Sequence, residues 1–269
     1  MTSRADQARE PIFLCGAPRS GVRLLAAILN EHPQLASGPE LPFLITMARQ
    51  WSDIEHTLGE NHQRHYGLEP AMTRSAFRAA ICSLLAPRLA AVGKPRFVIQ
   101  SFAAALSLEA LAALFPNARF LLMVRDPRAV AGSLLRCDWR NPRDGQRLPY
   151  TRDPVAGTRL WMDFMNAALP GALALQQAGR LAVVRYEDLC ARPAAVLHGV
   201  TQFLGEPVAP EPRVVAASAS LITLSEESPH PPLREGLLDT ASIRPRTLDP
   251  RLLAAVEQMT GPLRSRFGY

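Results

Sequence analysis

The chain has 269 residues, 48% hydrophobic and 20% charged, which excludes both a disordered chain and a miniprotein that depends on staples. Basic residues (30) outnumber acidic ones (24) for a formal charge of +6, and every basic residue except Lys94 is an arginine. The arginines are spread along the chain with no basic tract and no interleaved aromatics, so the charge points to a small anionic ligand and away from nucleic acid.

In chain order, a polar start, MTSRADQARE, leads directly into an apolar run. Residues 1–10 are read as a flexible tail, with no signal-peptide pattern, and a soluble cytoplasmic protein is expected. No unbroken apolar run reaches the 18 residues that span a bilayer, so no membrane partner is expected. Strands are predicted over 11–15, 96–99, 119–124 and 180–185, each rich in Val, Ile, Leu or Phe as a strand buried on both faces would be. Helices are predicted over 21–31, 74–91, 104–115, 128–136, 155–178, 194–204 and 250–266. Asp126-Pro127 supplies an N-cap and a first-turn proline for one of them. Arg192-Pro193 opens another, which Gly205 closes. Residues 206–249, rich in Pro and Ser, are read as a long loop or lid. The alternation predicts a single α/β domain over 1–269, a central parallel sheet flanked by helices.

Four scattered cysteines (Cys15, Cys82, Cys137 and Cys190) form no CxxC pair, and the six histidines share no metal-ligand spacing. Intracellular thiols without a metal site are expected. His62 and His65 are read as part of a solvated loop.

The most informative run is PIFLCGAPRSGVRLLAAILNEHP. A strand ends at Cys15, a GAPRSG turn follows and an amphipathic helix begins. Gly16 and Gly21 permit positive φ and close backbone approach, so that consecutive N–H groups can face one anion. The helix N-terminus adds its dipole to the same place. The spacing matches the start of G-x-x-x-x-G-K-[ST], but the last two positions are Val22 and Arg23. The lysine for the β/γ-phosphates and the hydroxyl for magnesium are both missing, which argues against a kinase or NTPase and leaves a P-loop-like phosphate cradle that needs no metal.

The sequence resembles the sulfotransferases that use 3′-phosphoadenosine 5′-phosphosulfate (PAPS), in four ordered blocks. GAPRSGVRLLAAILNEHPQLASGPELPFL is similar to that family's 5′-phosphosulfate loop, helix and acidic segment. LAALFPNARFLLMVRDPRAVAGSLL is similar to its 3′-phosphate motif. VVRYEDLCARPAAVLHGVTQFLGEP and LDPRLLAAVEQMTGPLRSRFGY are similar to a later strand–turn–helix and to the closing helix. The acidic segment is nearer to the bacterial and tyrosylprotein-type members than to the phenol-type ones.

The resemblance implies metal-independent, in-line transfer of a sulfuryl group from PAPS to a hydroxyl of a small-molecule or carbohydrate acceptor, with adenosine 3′,5′-bisphosphate as product. It implies Glu40 as the base and Arg19 as the cation over the bridging and sulfonate oxygens. The N–H groups of Ser20, Gly21, Val22 and Arg23 would hold the 5′-phosphate. Arg125 and Ser133 would hold the 3′-phosphate, helped by Ser242 and by Arg244 or Arg246. For Arg125 alone, a salt bridge to Asp126 or Asp188 is the competing reading. The chain departs from the family where Gly-Thr-Thr becomes Gly-Val22-Arg23, where Lys-Thr-Pro becomes Gln100-Ser101-Phe102, and where Ser-x-Gly-Arg-Trp becomes Ser242–Arg246. Lys94 precedes its strand and belongs to the opposite sheet edge. Two functions are compatible with this pattern: a sulfotransferase in which Arg19 and Arg23 replace Lys and Thr, or a protein that binds the bisphosphate with altered or lost transfer chemistry.

Overall fold

A computed structural model describes residues 10–207 and 249–269. Its strands are β1 (Ile12–Gly16), β2 (Leu35–Ser37), β3 (Arg96–Gln100), β4 (Arg119–Val124) and β5 (Leu181–Arg185). They form one parallel sheet in the order β2-β3-β1-β4-β5. The central strand β1 is buried throughout because helices cover both faces, and this is why it reads as an unbroken apolar run.

The helices are α1 (Val22–Asn30), α2 (Pro42–Tyr66), α3 (Pro70–Val92), α4 (Leu108–Leu114), α5 (Pro127–Leu134), α6 (Pro154–Gln177), α7 (Tyr186–Ala191), α8 (Pro193–Leu204) and α9 (Pro250–Arg266). On one face of the sheet Phe13 packs against Phe115 and Phe120, with ring centroids 5.4 and 5.2 Å apart, in a core that includes the fully buried Trp161. On the other face Ile12, Leu14, Leu121 and Met123 meet Leu25 and Leu29 of α1 and Leu197 and Val200 of α8. The two faces alternate residue by residue along β1 and β4, as the pleat requires.

The predicted punctuation is present. The Asp126 side chain accepts the Arg128 N–H at 2.8 Å and caps α5. Pro193 starts α8, and Gly205, with φ 71°, ends it.

Several expectations need correction. The segment 104–115 is a 3-10 turn, Phe102–Ser107, followed by the short α4. β2 and α2 were not expected, and His62 and His65 lie in the last turns of α2, not in a loop. Glu10 does not belong to a flexible tail: it is 4% exposed and accepts hydrogen bonds from Arg78 and from the Asn117 N–H. Glu206 is likewise anchored by a 2.9 Å ion pair with the buried Arg96. The rest of the expected tail, 1–9, and of the expected lid, 208–248, lies outside the described residues. Finally, α3 is long and apolar enough to cross a membrane by length and composition, at a mean hydropathy of 1.3 over 18 residues. Arg74, Arg78 and Arg88 break the run that residue-by-residue reading looks for. In the fold Arg74 lies over the Trp51 ring and Arg78 reaches Glu10, so both are turned towards the body of the protein.

Candidate active site

In a parallel sheet every strand delivers its following loop to the same edge, and ligands of open α/β sheets bind there. The loop after β1 carries Arg19 and Ser20, the loop after β2 carries Glu40, β3 runs into Ser101, and β4 runs into Arg125. Lys94 precedes β3 and reaches the Asn30 carbonyl at the opposite edge, as expected.

The loop after β1 is tightly wound. Gly16 (φ 154°) and Gly21 (φ 97°) cannot be replaced without collision: a Cβ on Gly16 would stand 2.4 Å from the Met123 carbonyl oxygen, and one on Gly21 would stand 2.5 Å from the Tyr186 ring. Arg19 adopts φ 69°, an uncommon conformation for a residue with a side chain and one that concentrates at functional sites. The Ser20 N–H closes the turn onto the Ala17 carbonyl at 3.1 Å, so it is engaged within the loop and not offered to a phosphate as expected. Its hydroxyl is the group to watch: Ser20 Oγ is buried with no hydrogen-bond partner among the described residues. A buried polar atom in that state needs an explanation, and an anion bound in the loop would supply one. Helix α1 starts at Val22 without a side-chain cap, which leaves its first turn of N–H groups suited to an anion. The Val22 side chain is 9% exposed and belongs to the apolar core, so this position supplies backbone alone.

Arg19 crosses from this loop to α5. Its Nε donates to Ser133 Oγ at 3.0 Å, and Arg125 Nη1 donates to the Arg19 carbonyl at 3.1 Å. The residues expected at opposite ends of a nucleotide therefore touch. Arg125 is 7% exposed and stacks over the Tyr186 ring at 4.0 Å. The competing salt bridges are taken by other residues: Asp126 pairs with Arg128, and Asp188 pairs with Arg185 and Arg192. Burial pushes Arg19 below the ordinary arginine pKa, and the guanidinium groups of Arg125, Arg136 and Arg23 push the same way. Like charge gathered around the buried Arg125 and reaching out to the half-buried Arg23 and the exposed Arg136 suits a site for a polyanion.

Glu40 lies within the electrostatic reach of Arg23 from this cluster. Its Oε1 accepts the Ser101 hydroxyl at 2.5 Å, and the carboxylate also accepts the Phe102 N–H. Burial raises its pKa, while the Ser101 hydrogen bond and the positive charge of Arg23 oppose the rise. A half-buried carboxylate moved towards neutral pH fits a general base. Gln100, at the family's lysine position, donates Nε2 to the Gly38 carbonyl at 2.7 Å and so ties down the Glu40 loop. From sequence Ser101 was named only within the Gln100-Ser101-Phe102 departure, outside the four blocks, and Tyr186 and Glu187 were not singled out although both lie in the third block. Ser242, Arg244 and Arg246 lie outside the described residues.

The sulfotransferase family model matches residues 11–210, which contain the loop, Glu40, Arg125 and Ser133. The chain belongs to the sulfotransferase family. Among its relatives, the nodulation protein NoeE of Sinorhizobium fredii is 31% identical over 72% of this chain and 49% of the relative. Protein-tyrosine sulfotransferase A of Caenorhabditis elegans is 29% identical over 73% and 50%. The chain thus spans about half the length of the curated relatives it matches. These names agree with the expected bacterial and tyrosylprotein-type branch. The sulfotransferase domain of the Synechococcus PCC 7002 olefin synthase has the same fold, with a TM-score of 0.58 at 24% identity over 97% of this chain and 95% of that one.

Proposed function

We propose that this member of the family is an enzyme that transfers a sulfuryl group from PAPS to a hydroxyl of a small-molecule or carbohydrate acceptor. The observation that carries the reading is the junction of Arg19, within the GAPRSG loop, with Ser133 and Arg125, together with a Glu40 carboxylate held by Ser101 at the same sheet edge. The fit to a nucleotide with phosphates at both ends rests on the buried Ser20 hydroxyl, which has no partner among the described residues, the uncapped start of α1 and the clustered guanidinium groups.

PAPS supplies the sulfuryl group when bound. Ser20 Oγ and the first-turn N–H groups of α1 would hold its 5′-phosphosulfate end, and Arg125 with Ser133 its 3′-phosphate. Arg19 is an electrostatic stabiliser that can serve either phosphate, since its guanidinium already meets Ser133. Glu40 takes the acceptor hydroxyl proton as the acceptor oxygen bonds to sulfur. The bond between sulfur and the phosphate oxygen breaks, and the bisphosphate leaves with the electron pair. Ser101 and the Phe102 N–H hold the carboxylate in place, and the Phe102 ring, 38% exposed, offers the acceptor an apolar wall. Incubation with PAPS and a panel of hydroxyl acceptors, read as adenosine 3′,5′-bisphosphate released, tests the assignment.

A second reading has specific support. The side chains at two positions where relatives contact the donor are committed to structure here, Val22 to the core and Gln100 to Gly38. A protein that binds the bisphosphate without turnover would show this, and it would saturate with nucleotide yet release no product with any acceptor.

A further inference from the structure

Arg125 has to present its guanidinium at one place, and its own strand ends at Val124. Two residues that the sulfuryl-transfer chemistry does not use bracket it. Glu187, the second residue of α7, accepts the Asp126 N–H through Oε1 at 3.1 Å. Through Oε2 it accepts the Tyr269 hydroxyl at 2.5 Å. The same hydroxyl oxygen lies 3.3 Å from the Val124 carbonyl, a second and weaker acceptor. The backbone on either side of Arg125 is thus clasped by one carboxylate–phenol pair. Tyr269 is itself fixed: Arg185, at the end of β5, covers its ring at 4.4 Å and donates to the Gly268 carbonyl at 2.9 Å. The Asp126 side chain is held separately, through Arg128 and on to Glu257 of α9. The segment after α9 and the end of β5 therefore converge on one turn of backbone, the turn that aims Arg125.

We propose that Glu187 and Tyr269 are positioning residues for Arg125, setting the protein's affinity for the 3′-phosphate of its nucleotide without touching it. The role rests on the reading that Arg125 grips that phosphate. A half-buried hydrogen-bonded clasp that acts only through the aim of Arg125 makes a small geometric contribution, about three- to tenfold in affinity.

The test compares two ligands that differ in the 3′-phosphate alone, adenosine 3′,5′-bisphosphate and adenosine 5′-monophosphate. Dissociation constants are measured for the full chain, Arg125→Ala, Tyr269→Phe and Glu187→Gln. Tyr269→Phe keeps the ring against Arg185 and removes one hydroxyl. It is expected to weaken the bisphosphate about three- to tenfold and leave the monophosphate unchanged, with Glu187→Gln in the same direction. An equal loss for both ligands would mean a merely structural role, and no loss for either would mean that the clasp does nothing; both results overturn the proposal. Arg125→Ala separates the two levels. If it erases the preference for the bisphosphate while Tyr269→Phe does not alter it, the clasp alone fails. If Arg125→Ala leaves that preference intact, the nucleotide reading fails and takes the clasp with it.

Discussion

Arg19 and Ser133 are 114 residues apart and meet at 3.0 Å, guanidinium Nε to hydroxyl Oγ. This contact joins the loop after β1 to the helix after β4, and with it the two ends of the proposed nucleotide site. An arginine fork holds a phosphate with two directed hydrogen bonds where a lysine offers a point charge. Arg19→Lys is therefore expected to weaken adenosine 3′,5′-bisphosphate by about tenfold and Arg19→Ala by more, with Ser133→Ala the mildest of the three. Calorimetric titration of the three variants checks the order.

Glu40 should separate binding from turnover. Glu40→Gln keeps the shape and the contact to Ser101, so nucleotide affinity is expected to stay while kcat drops by about 10²- to 10⁴-fold. The base acts only when ionised, and burial raises its pKa. Activity should accordingly fail as the pH drops through a value above the ordinary carboxylate range. The sign for stability is opposite. A carboxyl that binds its proton more tightly folded than unfolded destabilises the fold as the pH rises through that interval. Glu40→Gln should thus have the higher Tm at neutral pH and lose that advantage in acid.

Arg23 stands where the resemblance implies a hydroxyl, and its charge lowers the Glu40 pKa. Arg23→Gln removes that effect and should move the acid limb of kcat/KM to higher pH. A limb that does not move would show that Arg23 does not poise the base.

Gly21 combines φ 97° with a Cβ position 2.5 Å from the Tyr186 ring, the ring on which Arg125 stacks. Gly21→Ala should cost about 1–3 kcal/mol of stability and weaken the bisphosphate as well. Thermal unfolding and titration of the same sample read both effects.

How much of this was visible beforehand follows from physical cause. β1, β3 and β4 are covered on both faces, so their sequences are apolar and easy to find. β5 is an edge strand that leaves Val183 exposed, against the expectation of burial on both faces, and was found from its apolar LAVVR run alone. β2 has only three residues, too few to make a pattern. α2 buries Leu44, Ile45, Ala48 and Trp51 in its first half; beyond them only Ile54 and Leu58 continue the apolar spacing, both exposed, within a polar run to Tyr66, so the pattern is diluted over the second half. The phosphate loop was legible because it needs glycine at two fixed places. The contact between Arg19 and Ser133 was not, because only the folded sheet brings their loops together. Gln100 was legible as a departure, but its bond to Gly38 depends on β2, which was not expected. Ser101 is one of many serines until Glu40 is placed beside it.

The central claim is that Arg125 and the loop after β1 form a site for a doubly phosphorylated adenosine nucleotide that donates a sulfuryl group. Calorimetric titration with adenosine 3′,5′-bisphosphate and with PAPS, on the unaltered chain and on Arg125→Ala, tests it most directly. The account predicts micromolar binding of both ligands, lost on Arg125→Ala. Failure of both to bind the unaltered chain, or equal binding by Arg125→Ala, would contradict it.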